Sequence, residues 1–247
     1  IAGIGHTRYS TAGLKNSINC VQPFVVYTNA GVVAVAHNGE LVKAEAIRSK
    51  VLKSGVGLST DTDSELIAQF IASADELPDG SPSSWISRIR YMMKNVTCSY
   101  SLIVMVRDRI FAVRDPWGNR PLCIGTLRDG DKTSAWFVSS ESCAFPAVGA
   151  TLLRTVHPGE IVELTSSGIG ESILVERPST QPAVFCIFEY IYFSRADSVL
   201  EDQQVYRVRF RCGEQLALES PVDAEIVSTV PTSAIPAALG YSKQVSN

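Results

Sequence analysis

The sequence predicts an α+β fold: an antiparallel sandwich followed by the start of a second block. Three observations carry this. Segments with helical periodicity are grouped between about residues 41 and 96, and strand-like segments between about 99 and 164. That grouping suits an antiparallel α+β sandwich better than repeating βαβ units. Residues 166–181 are rich in Ser, Gly and Pro and read as a connector. The implied division is a first domain over residues 1–175 and part of a second over 176–247.

The elements follow in order. "VVYTNAGVVAVAHNG" (25–39) reads as a hairpin turning at Asn29-Ala30-Gly31. Leu41, Ala44, Ile47 and Val51 recur at helical spacing, with Gly55 as a stop. A second helix from about Asp63 carries Leu66, Ile67, Phe70 and Ile71 on one side, and Thr62-x-x-Glu65 fits a capping box. A third is expected to start at Ser81-Pro82, with Trp85, Ile89, Met92 and Val96 as its stripe. "SLIVMVRDRIFAVRD" reads as two strands turning at Asp108-Arg109, and "RPLCIG", "AWFVSS" and "EIVEL" as further strands. Beyond the connector, "FCIFEYIYF" (185–193) reads as an aromatic-rich strand, about 205–218 as a helix, and "AEIVSTV" (224–230) as a strand.

Composition narrows the function classes. The 247 residues are 45% hydrophobic and 19% charged, with net charge −3, and no basic run supports a nucleic-acid partner. No apolar stretch approaches the roughly 20 residues that span a bilayer. The longest central run, Leu102 to Val106, has the length of a buried strand. The six cysteines, at 20, 98, 123, 143, 186 and 212, form no C-x-x-C pair and suit reduced, buried thiols in a cytoplasmic protein. His6, His37 and His157 lack zinc-site spacing. The chain opens Ile1-Ala2-Gly3 and ends at Asn247, and it reads as an internal piece of a longer protein.

Three motifs carry candidate chemistry. In "GIGHTRYSTAG" (3–13), the Arg8 guanidinium can clamp a carboxylate through two parallel hydrogen bonds. In "AHNGEL" (36–41), the Asn38 amide and the Gly39 N–H can both donate to a developing oxyanion. In "STDTDSE" (59–65), Asp63 can bind an ammonium. Taken singly, each has an ordinary reading: a surface arginine, a turn pair, and an aspartate at a helix N-terminus.

Together, in this order and at these spacings, the motifs resemble the class-II glutamine amidotransferases, whose nucleophile is an N-terminal cysteine. The resemblance implies an N-terminal-nucleophile αββα sandwich followed by the start of an α/β phosphoribosyltransferase domain. It assigns Arg8, with Thr11 as a second contact, to the glutamine α-carboxylate. Asn38 and Gly39 become the oxyanion hole, and Asp63 the α-amino partner. "RYSTAG", "QPF", "RDPWGNRPLCIG", "SSES", "PGEIVEL", "EYIYFSRADS" and "VPTSAIPAALGY" resemble the purine-pathway branch, glutamine phosphoribosylpyrophosphate amidotransferase of the animal type. The glucosamine-phosphate synthase branch usually carries "RWATHG" at the first motif. Two departures stand out: Thr232 replaces an acidic residue in "VP(D/E)S", and "ARPDS" appears as "SRADS" (194–198).

The resemblance also implies a reaction. Glutamine is hydrolysed and its ammonia passed to phosphoribosyl pyrophosphate, giving 5-phosphoribosylamine, glutamate and pyrophosphate. The nucleophilic cysteine is expected upstream of Ile1 and the phosphoribosyl-pyrophosphate loop beyond Asn247, so this piece itself is expected to be inactive. The intact enzyme is expected to be a cytoplasmic homo-oligomer with Mg2+ and a 4Fe–4S cluster, neither of them held by this piece alone. Cys186 would be one cluster ligand, and Cys212, on a stripe with Val205, Val208 and Leu216, ordinary core. The alternatives are a glucosamine-phosphate synthase type of amidotransferase and a catalytically dead regulatory homologue.

Overall fold

A computed structural model describes residues 2–8, 18–28, 30–74, 84–97, 99–107, 109–177 and 182–245. β1 (Phe24–Thr28) and β2 (Gly31–Gly39) form the expected hairpin, in which Thr28 pairs with Gly31. Asn29, in its turn, lies outside the described residues. α1 (Ala44–Lys53) ends two residues before Gly55, whose φ of 83° suits only glycine without strain. α2 (Asp63–Ser73) starts as expected, but only half of the capping box forms. Thr62 Oγ1 accepts the Glu65 N–H at 3.3 Å, while the Glu65 carboxylate accepts Ser59 N–H, Thr60 N–H and the Thr60 hydroxyl. α3 (Trp85–Asn95) is capped by Ser84 rather than Ser81; Ser81 and Pro82 lie outside the described residues.

The strand-rich part follows. β3 (Tyr100–Val106) and β4 (Arg109–Arg114) pair so that Val106 faces Arg109. Arg107, at φ 50°, lies in the turn, and Arg109, expected there, is already the first residue of β4; Asp108 lies outside the described residues. β5 (Cys123–Asp129), β6 (Lys132–Ser139) and β8 (Glu160–Thr165) match the expected strands. β7 (Thr151–Thr155) and β9 (Gly168–Leu174) were not expected, and β9 lies inside the stretch read as a connector. Its glycines and serines gave no apolar alternation, and its residues are mostly exposed because it sits at a sheet edge.

The strands build two antiparallel sheets, ordered β1-β2-β3-β4-β8-β9 and β6-β5-β7. One face of the larger sheet (Val33, Val35, Leu102, Val104, Phe111, Val113) packs on Leu66, Ile67, Ile71, Ile89 and Met92 of the helices. Its other face (Ala112, Val162, Leu164) packs on Leu122, Ile124, Trp136 and Val138 beside the smaller sheet. β2, β3 and β4 are thus covered on both sides, so their sequences read as continuous apolar runs rather than alternations.

Glu160 fastens β7, β8 and β9. Arg154 donates Nη1 to Oε2 and Nη2 to Oε1, both at 2.8 Å, and Ser172 Oγ and His157 N–H add two more bonds. Burial pushes this carboxyl's pKa up, but those donors outweigh it, and the net shift is below the ordinary 4.5. Folding therefore favours the ionised form. The stabilisation is complete above about pH 4.5 and is lost as pH falls through the lower folded value. Glu160→Gln should lower stability by about 1–3 kcal/mol at pH 7. The gap to wild type should close in urea melts taken at progressively lower pH; a gap independent of pH would refute this.

After residue 182 three expectations fail. Glu189–Phe193 is a π-helical turn, closed by Ser194 N–H on the Glu189 carbonyl at 3.1 Å, not a strand. Glu189 and Tyr190 are buried side by side while residues 191–193 are exposed, a pattern no strand can give. Arg209 fixes the turn by donating to the carbonyls of Tyr190 and Ser194. Residues 224–230 are irregular, and Ile226 and Val230 are exposed. β10 (Val199–Leu200) and β11 (Gln203–Gln204) lead into α4 (Val205–Glu219), which packs on α5 (Ile235–Val245). The buried face of α4 is Val205, Arg209, Gly213 and Ala217, not the stripe through Cys212, which is exposed. Small residues select that face: a Cβ on Gly213 would overlap the Ala237 carbonyl, and one on Gly240 the Phe210 carbonyl. No described helix is long and apolar enough to cross a membrane.

Candidate active site

β2 ends at the site. Asn38 pairs with Ser101 and Gly39 with Tyr100, both half-buried at the open end of the strand. Gly39 stands at φ 150°, and a Cβ there would overlap the Ser99 carbonyl, so only glycine fits. The Asn38 amide is held at both ends. Arg120 Nη2 donates to its Oδ1 at 3.1 Å, and its Nδ2 donates to Ser140 Oγ at 2.9 Å. A guanidinium can only donate, so the amide orientation is fixed, and among the described residues the second N–H of Nδ2 has no partner and can serve a ligand oxygen.

Asp63 is brought to the same place by the start of α2. Its Oδ2 accepts the Leu41 N–H at 3.0 Å, just past Gly39, and its Oδ1 lies 3.9 Å from His37 Nδ1. His37 is buried, and its Nδ1 contacts Ser64 Oγ at 3.1 Å. Burial lowers its pKa below 6.5, and His6 and Arg120 act in the same direction against Asp63 and the Ser99 carbonyl. His37 therefore stands neutral at pH 7 and packs the floor of the site. Gln22 closes the floor, accepting the His37 N–H and donating to the His37 carbonyl and Ser64 Oγ.

The N-terminal segment approaches this floor. His6 is close enough for its charge to act on His37, and Arg8 in turn acts on His6. Arg8 is half-buried. Thr11 lies outside the described residues. The structure thus brings Asn38, Gly39 and Asp63 together and leads the Arg8 segment to them.

The sequence pattern of the glutamine amidotransferase domain family matches residues 6–147. The chain belongs to that family. This glutamine amidotransferase chain is 52% identical over 250 residues to the amidophosphoribosyltransferase of Mus musculus and 53% identical to that of Homo sapiens, each match covering 97% of it. It spans about half the length of these curated relatives, 48% in both cases. Among solved structures, the glutamine phosphoribosylpyrophosphate amidotransferase of B. subtilis, complexed with ADP and GMP, superposes with a TM-score of 0.84 at 35% identity. That match covers 98% of this chain and 49% of the other. The amidotransferase sandwich expected from the motifs is therefore the fold.

Sequence reasoning missed the residues that hold the amidotransferase site in shape: Gln22, Ser64, Arg120 and Ser140. All four lie inside motifs of the sequence, but no spacing rule connects Arg120 to Asn38 across 82 positions. It also missed the junction. Glu141 Oε2 accepts Arg195 N–H and Ser198 Oγ, Ser142 Oγ accepts the Val199 N–H, and Arg120 pairs with Glu189 at 2.8 Å. Residues 182–201 are thereby pinned to the sandwich.

Proposed function

We propose that this chain is the glutamine-hydrolysing part of an amidophosphoribosyltransferase, joined to the start of its phosphoribosyltransferase domain. The domain division is proposed at residues 175 and 176. The observation that carries the reading is the Asn38 amide, fixed by Arg120 and Ser140 with an N–H left over beside Gly39, and Asp63 bonded to the Leu41 N–H two residues further on. The names of the relatives favour the purine branch over the glucosamine-phosphate synthase type.

In the intact enzyme an N-terminal cysteine preceding this stretch supplies the nucleophile. Its α-amine, with a pKa of roughly 8, takes the thiol proton, and the thiolate attacks the glutamine amide carbon. Asn38 and Gly39 donate to the oxyanion of the tetrahedral intermediate. Arg8, with Thr11, holds the glutamine α-carboxylate, and Asp63 Oδ1 the α-ammonium, which sets the orientation of attack. Collapse of the intermediate breaks the C–N bond, releases ammonia and leaves a glutamyl thioester, which water hydrolyses to glutamate and the free thiol; the ammonia displaces pyrophosphate from phosphoribosyl pyrophosphate, giving 5-phosphoribosylamine. Cytoplasmic placement, a requirement of the intact enzyme for Mg2+ and assembly into a homo-oligomer belong to the same reading.

A 4Fe–4S cluster needs four thiolates. Cys186 is half-buried and tied to the sandwich by its N–H on the Asn119 carbonyl, which fixes one donor. No group of three or more His, Cys, Asp or Glu among the described residues can hold a metal ion. Cys186 would be one ligand of that cluster, joined by three thiolates from elsewhere in the enzyme.

The test uses the full-length enzyme. Arg8→Ala and Asp63→Ala should each reduce glutamine-dependent synthesis about tenfold or more, chiefly through KM for glutamine. Synthesis from free ammonia should stay within about twofold, since ammonia bypasses the glutamine pocket. Equal loss of both activities would overturn the assignment and leave Asp63 as the holder of the Leu41 loop.

A further inference from the structure

One side chain near the site has no assigned contact with glutamine itself, yet it bridges the oxyanion donor Asn38 to the junction segment. The Arg120 guanidinium donates Nη2 to Asn38 Oδ1 at 3.1 Å and pairs Nη1 with Glu189 Oε1 at 2.8 Å. Its carbon stands 5.7 Å from the centre of the Phe193 ring. Glu189 is almost wholly buried, and its other oxygen accepts the Ser194 hydroxyl at 2.8 Å. Burial pushes its carboxyl up in pKa, and Arg120 and Ser194 oppose that. A buried carboxylate without a cation is costly, so Glu189 holds Arg120 in one place.

We infer that Arg120 is a positioning residue for glutamine hydrolysis, orienting the Asn38 amide so that Nδ2 faces the oxyanion, with Glu189 as its fixed counter-charge. The inference rests on the proposed role of Asn38. Two alternatives are less able to explain the geometry. A surface ion pair would not need a carboxylate that is 2% exposed. A purely structural staple would not need the third contact to Asn38, because Glu141, Ser142 and Arg114 already pin residues 195–201 to the sandwich. Without Arg120 the amide can turn over about its terminal torsion and present oxygen instead of nitrogen to the developing negative charge.

The experiment is a double-mutant cycle in the full-length enzyme. Arg120→Met should lower kcat for glutamine hydrolysis by about ten- to a hundredfold, with KM for glutamine within about threefold and ammonia-dependent synthesis within about twofold. Combined with Asn38→Ala it should add little, because both changes remove the same interaction. Arg120→Lys keeps the charge opposite Glu189 but cannot reach both partners in the fork geometry, so it should show the same kcat loss in a protein of near-normal stability. Additive losses, or parallel losses of glutamine and ammonia activity, would overturn the inference, as would Arg120→Lys at wild-type kcat. If Asn38→Ala itself leaves kcat unchanged, the oxyanion reading fails, and the inference falls with it. If only the Arg120 variants behave as wild type, the reading stands and the inference alone is lost.

Discussion

Asn38→Ala in the full-length enzyme should lower kcat for glutamine hydrolysis by about a hundred- to a thousandfold, or roughly 3–4 kcal/mol of transition-state stabilisation. The size follows from the arrangement. One Nδ2 hydrogen is committed to Ser140 Oγ and the oxygen to Arg120, so the remaining hydrogen is pre-aimed and needs no reorganisation as charge develops. The donor matters more to the oxyanion than to the neutral amide, so KM for glutamine should change little. Ammonia-dependent synthesis should survive. The fold should survive too, because Asn38 contributes to the sheet through its backbone opposite Ser101, which alanine preserves. Steady-state kinetics with glutamine and with ammonia decide it. A loss below about fivefold, or a loss confined to KM, would remove Asn38 from the oxyanion role.

What the sequence disclosed follows from how each feature is encoded. The β1–β2 hairpin, the presence of α1 and the start of α2 were legible because turn residues and apolar periodicity are local, although the helical spacing was read from Leu41 and α1 begins only at Ala44, after Lys43 at φ 61°. Asn38, Gly39 and Asp63 were legible as motifs, and Gly39 has a local reason for its identity in the φ that β2 requires there. β9 was missed because a sheet-edge strand with exposed faces needs no apolar alternation. The aromatic residues of 185–193 suggested a strand, but β propensity measures fit to a pleated, half-buried surface. Here Arg209 and Arg120 impose a tight turn instead. Cys212 was misplaced because an apolar stripe was taken as the guide to burial, whereas the α4–α5 contact selects the face with small residues.

"RDPWGNRP" was legible only as a signature, and the structure gives it a physical cause from which the largest stability effect is expected. Asp115 Oδ1 accepts the N–H groups of Trp117 and Gly118, and Oδ2 that of Asn119, folding residues 115–119 into a compact turn. Gly118 supplies its positive φ of 71°. Arg114 fills the interior of that turn. It is 1% exposed, donates to the carbonyls of Arg120, Val156 and Gly118, each at 2.8 Å, and pairs with Glu201 at 2.6 Å. Arg114→Met would keep much of the volume but leave three carbonyls, two of them buried, and a carboxylate without their donor. That should cost about 3–5 kcal/mol and lower Tm by roughly 10 °C. Arg114→Lys should recover less than half, because one ammonium cannot reach three carbonyls spread around a planar fork. Glu201→Gln should cost well under 1 kcal/mol, since the Glu201 side chain is 38% exposed and water replaces the pairing. Thermal and urea unfolding of the three variants separate these outcomes, and an Arg114→Met protein within about 1 kcal/mol of wild type would refute the account. Because Arg114 also grips the backbone carbonyl of Arg120, any Arg114→Met protein that folds should lose glutamine-dependent kcat along with stability, through displacement of the guanidinium that holds Asn38.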